Sequence, residues 1–519
     1  MRRTKLTGES LTIEELVFLV RNPTSLVEVP NKILRKISKV RVFLENEIRK
    51  RIVYGVNTGF GPMASHIINP KNLDQLQENL VVSHAVGMGA PVASSYVLAS
   101  MLVRLNTLAK GYSGVTRELL ERLQFLVNNR IIPIVPEHGA VGTSGDLVQL
   151  AHMALPFLGK GDVQYAGKMQ SSEVVLKKFG LKPYRLKPKE GLSLINGTSF
   201  MSGVAALVAH DAEQVLGMAA RTGALALEMV AAFDDSISET LHELRPHNGQ
   251  KKIAKVLRFI LSTSKMLRKR VVLDKKNGHI EYDVQEIPDD VQEIYSIRCI
   301  SQILGPVLDT LFKTREDIET EINSVSDNPI VDWKSKQFLH GGNFHGDVVA
   351  ASMDQLKTSM VKLTILSERR INFFLNHRIN RLLPPFLNLK KPGLTLALQG
   401  LQFVATSTTA QSQSLAYPHH VHSIPTNGDN QDVVSMGTDA ALMTGKVVEN
   451  ASYVLAIELI TLSQAVEIRD IRSRLSLESR KLIDAVRNAL PPITDDRVLT
   501  EELPRVIELV HDEKFSIKF

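Results

Sequence analysis

Only one cysteine, Cys299, occurs in the 519 residues, so no disulfide can form within the chain, which fits a reducing compartment. No apolar run is both long and uncharged. The strongest candidate, 204–233, is interrupted by His210, Asp211, Glu213, Arg221 and Glu228, and reads as a buried helix of a soluble core, not as a membrane span. Met1-Arg2-Arg3 has no apolar segment behind it, so a secretory signal is not expected and the expected location is cytoplasmic. Charge of one sign is scarce too: 62 Lys and Arg stand against 55 Asp and Glu, a formal net charge of +7. The basic residues are dispersed apart from small clusters such as 265–270, and no nucleic-acid-binding module accompanies them. The surplus suits solubility and the steering of an anionic carboxylate. No cluster has metal-ligand spacing, and His419, His420 and His422 read as loop histidines. Neither a metal nor an external cofactor is expected. No fixed-period repeat and no low-complexity tract is present.

What the chain does contain is helical periodicity. Apolar residues recur at three- and four-residue spacing over 9–50 and 72–128. A glycine-rich loop, 54–62, separates the two segments. An irregular connection follows at 129–146, and residues 160–190 carry short strand-like pieces around Val163-Gln164-Tyr165. From about 198 the character changes. Long alanine- and leucine-rich segments run over 199–233, 249–268, 288–323, 346–377, 396–415 and 437–475, each well beyond the usual ~11-residue helix. Such lengths predict a bundle of parallel rods. The expected division is an N-terminal domain over 1–197 and a long-helix bundle with a C-terminal helical region over 198–519.

Residues 142–146 read Gly142-Thr143-Ser144-Gly145-Asp146. A small residue followed by Ser and Gly can close on itself. The backbone nitrogen of Gly145 attacks the carbonyl carbon of Thr143, and water leaves as a five-membered ring forms. A second water leaves from Ser144. The product, 4-methylideneimidazole-5-one (MIO), is an electrophile made from protein alone. Glycine is needed at 145 because a bare backbone nitrogen must approach a carbonyl, and serine at 144 because it supplies the hydroxyl that leaves. Taken alone, the same stretch reads as a helix start: Ser or Thr, then Asp, then a largely apolar run from Leu147 to Leu155.

Company elsewhere in the chain decides between these readings. The motifs YGVNTGFG (54–61), SHAVGMG (83–89), GTSGDL (142–147), LINGTS (194–199), YSIRC (295–299), SDNP (326–329), GGNFHG (341–346) and NQDVVSMG (430–437) occur in order. With them the chain resembles, over nearly its whole length, the aromatic amino acid ammonia-lyases: the histidine, tyrosine and phenylalanine lyases and the related aminomutases. Thr143 is a departure, since the family usually has Ala there. Ring closure uses only the Thr143 carbonyl, and some aminomutases of the family carry Thr.

The resemblance implies an all-α, homotetrameric enzyme whose MIO arises from Thr143-Ser144-Gly145 in the N-terminal domain, with active sites composed from several subunits. It implies that the ring makes the substrate amine a better leaving group and that Tyr54 is the base that takes the β-proton. A tyrosine does so only if its pKa is lowered from ~10. Arg298 would grip the substrate carboxylate, and Tyr295, three residues earlier, would share its helical face and act as the second catalytic tyrosine. Asn196 would bond the ring oxygen or the amine, and Phe344 would pack at the ring. Gly61, Ser83, His84, Leu147, Asn328, Asn427, Asn430 and Gln431 complete the expected substrate-binding set. A catalytically dead helical scaffold would have lost one of Tyr54, Ser144, Asn196, Tyr295 and Arg298, and none is lost.

The substrate turns on the distal pocket. Ser83-His84 is a pair common in histidine ammonia-lyases, yet some tyrosine lyases carry it. Histidine lyases typically have Gln-Glu-Asp-His in the register of Asn430-Gln431-Asp432-Val433. A neutral amide at Gln431 suits a phenol or phenyl ring, and a polar His84 suits a hydroxyl on it. The expected reaction is therefore L-tyrosine to 4-hydroxycinnamate and ammonia. Histidine ammonia-lyase, phenylalanine ammonia-lyase and aromatic 2,3-aminomutase are the alternatives.

Overall fold

The computed structural model describes residues 3–277, 283–284, 286–287 and 290–519. The first two residues of the N-terminal reading and the first two of the expected 288–323 rod lie outside them. Helix makes up 58% of the described residues and strand 8%, which places the protein in the all-α class. The described residues form two compact units. One comprises Met1–His210, Lys313–Asp354 and Pro418–Gly445; the other comprises Asp211–Phe312, Gln355–Tyr417 and Lys446–Phe519. Each is assembled from three separate segments, whereas the division read from the sequence was a single cut after 197.

The first unit opens with helices Ile13–Arg21 and Asn31–Glu47. Thr12 starts the former with a full capping box, its hydroxyl accepting from the Glu15 amide. Between these helices Leu26–Glu28 pairs in parallel with Arg3–Lys5, so the expected helical stretch 9–50 is broken once. Helices Leu73–His84, Ser94–Ala109 and Arg117–Asn128 follow. Ser94–Ala109 is buried along all but its first turn, as expected of a helix with little amphipathic asymmetry. The strand signal near 163–165 corresponds to Asp162–Tyr165, which pairs with Ile132–Pro133 on one side and Lys168–Ser171 on the other. Helix Leu147–Ala154 begins directly after Asp146. The helix-start reading of that stretch therefore holds for the backbone, but Asp146 makes no capping bond. Its carboxylate is used elsewhere.

The long rods are Ser199–Met229, Ile300–Ile322, Asp347–Leu375, Gln399–Ser414 and Gly437–Arg469. All except Gln399–Ser414 contribute residues to both units. Gly437–Arg469 is the one described helix long and apolar enough to cross a membrane, and 83% of its most apolar stretch is buried inside the protein. Within the second unit, a fully buried Arg370–Glu458 ion pair joins two rods, and the guanidinium also donates to Thr222 Oγ1.

Candidate active site

Ser144 lies on the wall of a cavity of about 1080 Å3 in the first unit. The backbone there is unusually close to a second segment. Gly145 pairs in parallel with Gly197, Asp146 N donates to Gly197 O (3.0 Å), and Gly197 N donates to Ser144 O (3.2 Å). A Cβ on Gly145 would sit 1.9 Å from the Gly197 carbonyl oxygen, and the residue has φ +71°, so only glycine fits. The Asn196 side chain donates to the same Ser144 carbonyl at 2.8 Å. Its other atom, Oδ1, is buried with no partner among the described residues. A glycine that no side chain could replace, two donors on the Ser144 oxygen and an open acceptor beside it together fit a ring closed from Thr143-Ser144-Gly145.

The segment that carries Asn196 is held from behind by buried charge. The Arg104 guanidinium donates to the carbonyls of Ser193 and Asn196, the latter at 2.5 Å. Lys189 pairs with Asp327 at 3.1 Å, both fully buried, and also donates to Ser193 Oγ at 3.0 Å. Burial lowers the Arg104 pKa to about 10, and it lowers that of Lys189 against the opposing pull of Asp327. Sequence reasoning did not single out any of the three.

Asp146 is buried next to the tripeptide, and its carboxylate accepts from Thr438 Oγ1 (2.6 Å) and Met201 N (2.8 Å). Burial raises its pKa to about 7 despite those bonds. The loop before the tripeptide is stitched to two others. The Gly142 carbonyl accepts from Ser435 Oγ (2.9 Å) and Gly346 N (3.1 Å), and Met436 N donates to Val141 O (3.1 Å). In this way the motif loops 341–346 and 430–437 meet the 142–147 loop.

Tyr54 enters the cavity from the glycine-rich loop. Its phenolic oxygen accepts from the Gly61 amide at 3.0 Å, and its ring meets Phe60 edge-on. The loop is tied down by Asn57, whose side chain accepts from Val53 N and donates to the carbonyls of Ile48 and Arg51, and by Thr58, which accepts from Gly55 N. A Cβ on Gly61 would lie 2.6 Å from the Asn427 side chain, so the two loops touch there. His340 accepts from the Tyr54 amide at 3.3 Å.

All the site residues expected from the sequence line this cavity except Tyr295 and Arg298. Those two belong to the second unit, on the single-turn helix Tyr295–Arg298. The Arg298 guanidinium lies over the Tyr295 ring at 4.8 Å, and its Nε has no partner among the described residues. Tyr295 is 69% exposed. Along the wall, His84 Nδ1 contacts the Leu80 carbonyl at 2.8 Å. A carbonyl can only accept, so Nδ1 carries the proton and Nε2 is the acceptor of the neutral ring. Gln431 donates to Ser144 Oγ at 2.8 Å and accepts from Thr143 Oγ1 at 2.7 Å. Asn328 accepts from the Gly341 amide at 2.9 Å. The sequence reading named Asp432 only within its register and set no carboxylate against an imidazole. Asp432 is the one carboxylate among the lining residues; His345 lies inside the GGNFHG motif, and His340, Asn79 and Thr426 are further polar groups outside the motifs. Their signal was proximity to a motif and nothing stronger.

Residues 11–488 match the family model described as aromatic amino acid lyase. Histidine ammonia-lyase of Geobacillus thermodenitrificans is 39% identical over 504 residues, 96% of each chain. Histidine ammonia-lyase of Alkaliphilus metalliredigens is 35% identical over 515 residues, covering 99% of this chain and 98% of its own. Among solved structures, tyrosine aminomutase from Streptomyces globisporus superposes with a TM-score of 0.95 at 35% identity, covering 99% of this chain and 98% of its own.

Proposed function

Because the chain belongs to the aromatic amino acid lyase family, we propose that it eliminates ammonia from an aromatic L-amino acid to leave the matching arylacrylate. The observation that carries this reading is one cavity wall shared by Ser144, Tyr54, Asn196 and Phe344. We propose that Thr143, Ser144 and Gly145 become MIO, which when formed supplies the electrophile for the substrate amine. The remaining work falls to side chains. Tyr54 takes the β-proton, with its oxygen held by the Gly61 amide. Asn196 keeps the Ser144 carbonyl fixed and offers Oδ1 to an amine donor. Arg298 binds the substrate carboxylate through a bidentate fork, with Tyr295 beside it. A homotetramer with composite sites would bring that pair to the cavity of a neighbouring subunit.

For the substrate, the relatives support L-histidine, with urocanate as product: full-length relatives at 35–39% identity carry the name histidine ammonia-lyase. They support it better than tyrosine. A second reading, L-tyrosine to 4-hydroxycinnamate, is favoured by the cavity wall. Neutral Gln431 stands where a carboxylate would serve an imidazole, and His84 presents an acceptor to a phenolic hydroxyl. The tyrosine aminomutase likeness adds the β-amino acid as a product to look for. The test is direct. The purified protein is incubated separately with histidine, tyrosine and phenylalanine, and acrylate, ammonia and β-amino acid are measured. Failure to release ammonia from all three would sink the activity, and the ranking of initial rates decides the substrate.

A further inference from the structure

Thr143 and Gln431 are 288 positions apart in the chain, yet their side chains bond directly. The Thr143 hydroxyl donates to Gln431 Oε1 at 2.7 Å, and Gln431 Nε2 donates to Ser144 Oγ at 2.8 Å. Thr143 is buried. Gln431 is fixed through its backbone, which pairs with Thr426 in both directions (3.0 and 3.3 Å) across a tight loop whose Asn427, Gly428 and Asp429 all have left-handed φ. An amide whose oxygen is claimed on one side presents its NH2 on the other. Here that NH2 points at the Ser144 hydroxyl.

That hydroxyl is the group that must leave. In ring closure the Gly145 nitrogen bonds to the Thr143 carbonyl carbon, and the former carbonyl oxygen departs as water with the protons of the Gly145 and Ser144 nitrogens. In the second step the Ser144 Cα–H and Cβ–O bonds break, Cα=Cβ forms, and the proton and hydroxyl leave as a second water. No oxidant is needed. The Cβ–O electron pair goes with the oxygen, which gains negative charge as it departs, and a donor already aimed at it is worth most at that moment. We infer that Gln431 assists the maturation of Ser144 by hydrogen-bonding its departing hydroxyl, and that Thr143 is the positioning residue that turns the Gln431 amide to do so. This rests on the proposed conversion of residues 143–145 and adds two side chains to it.

The experiment weighs the peptide containing 143–145 by mass spectrometry at timed intervals after pulse-labelled synthesis in cells. It compares the wild type with Gln431→Leu, Gln431→Glu, Thr143→Val and Thr143→Ser. The wild type and Thr143→Ser should lose two waters at the same rate. Gln431→Leu and Gln431→Glu should lose them roughly tenfold more slowly, the rate equivalent of one lost hydrogen bond at the reacting group. Thr143→Val keeps the shape without the hydroxyl and should also be slower. Gln431→Glu keeps the shape but can only accept, so a glutamate as fast as glutamine would overturn the proposal, as would full-speed conversion of Gln431→Leu. Full-speed conversion of Thr143→Val would overturn the part given to Thr143. A wild-type peptide at its full sequence mass would instead overturn the ring itself, which separates the two failures.

Discussion

The Asn196 side-chain amide donates to the Ser144 carbonyl oxygen across 2.8 Å, and the Gly197 amide reaches the same oxygen at 3.2 Å. Two donors converge on one carbonyl at the centre of the tripeptide proposed to form the ring, the arrangement that stabilises an oxygen gathering negative charge. Asn196 is in turn held by Arg104 through its own carbonyl, so the donor has little freedom to turn away.

Asn196→Ala should therefore cost about 10²–10³ in kcat, the magnitude typical of removing one such donor. Steady-state rates give the loss, and the mass of the 143–145 peptide shows whether the two waters still leave. A variant with full mass loss and unchanged kcat would refute the role given to Asn196.

Tyr54→Phe removes the hydroxyl that accepts from Gly61 and leaves the ring packed on Phe60. Turnover should fall by orders of magnitude, with substrate binding little changed, because only the proposed proton acceptor is lost. Were Tyr54 merely a lid, the change would appear in KM instead. Arg298→Lys should damage both parameters, since an ammonium cannot reproduce the bidentate grip on a carboxylate.

The long rods were readable because a 3.6-residue period repeated over many turns cannot be mistaken, as in Ser199–Met229. Ordered motifs pointed to the residues that line the cavity, from Tyr54 through Asn430 and Gln431. Short pairings escaped because their partners are remote: nothing in Arg3–Lys5 says that it lies beside Leu26–Glu28. Lys189 and Arg104 escaped because a charged residue in a sequence reads as surface, and only the fold reveals the carbonyls and the Asp327 carboxylate that let each be buried. The Thr143–Gln431 bond escaped for the same reason as the strands, since it joins two loops through space.

The buried pair gives a stability prediction. Lys189→Met leaves Asp327 buried with its cation gone, and breaking a pair on one side typically costs about 3–5 kcal/mol. Urea unfolding of the variant should show a loss of that order. A loss within experimental error of zero would mean that Asp327 finds another partner.

Asp146 gives a pH prediction. The folded chain holds its proton up to about pH 7, whereas the unfolded chain releases it near the ordinary value of 3.8. Between those values folding must take up a proton, so this group makes stability fall as pH rises, with no penalty below 3.8 and the full penalty above 7. Asp146→Asn has no such titration. The stability difference between wild type and variant should shift against the wild type from pH 4 to pH 7, and parallel pH profiles would show that Asp146 stays ionised.

Substrate choice is open to a swap at Gln431. Gln431→Glu offers a carboxylate to an imidazole and should move the ratio of kcat/KM toward histidine, whichever substrate the wild type prefers. His84→Phe removes the acceptor that His84 presents and adds apolar surface, so it should favour phenylalanine over tyrosine. A lost hydrogen bond to an uncharged group is worth about 0.5–1.5 kcal/mol, and a hydroxyl left buried without a partner costs more. Tyrosine should therefore lose at least several-fold against phenylalanine. Because Gln431→Glu is also expected to slow the maturation of Ser144, rates must be referred to the fraction of chains that have lost two waters. If the corrected ratio for Gln431→Glu stays at the wild-type value, Gln431 does not read the ring of the substrate. Asp432, the carboxylate on the same wall, then becomes the group to replace.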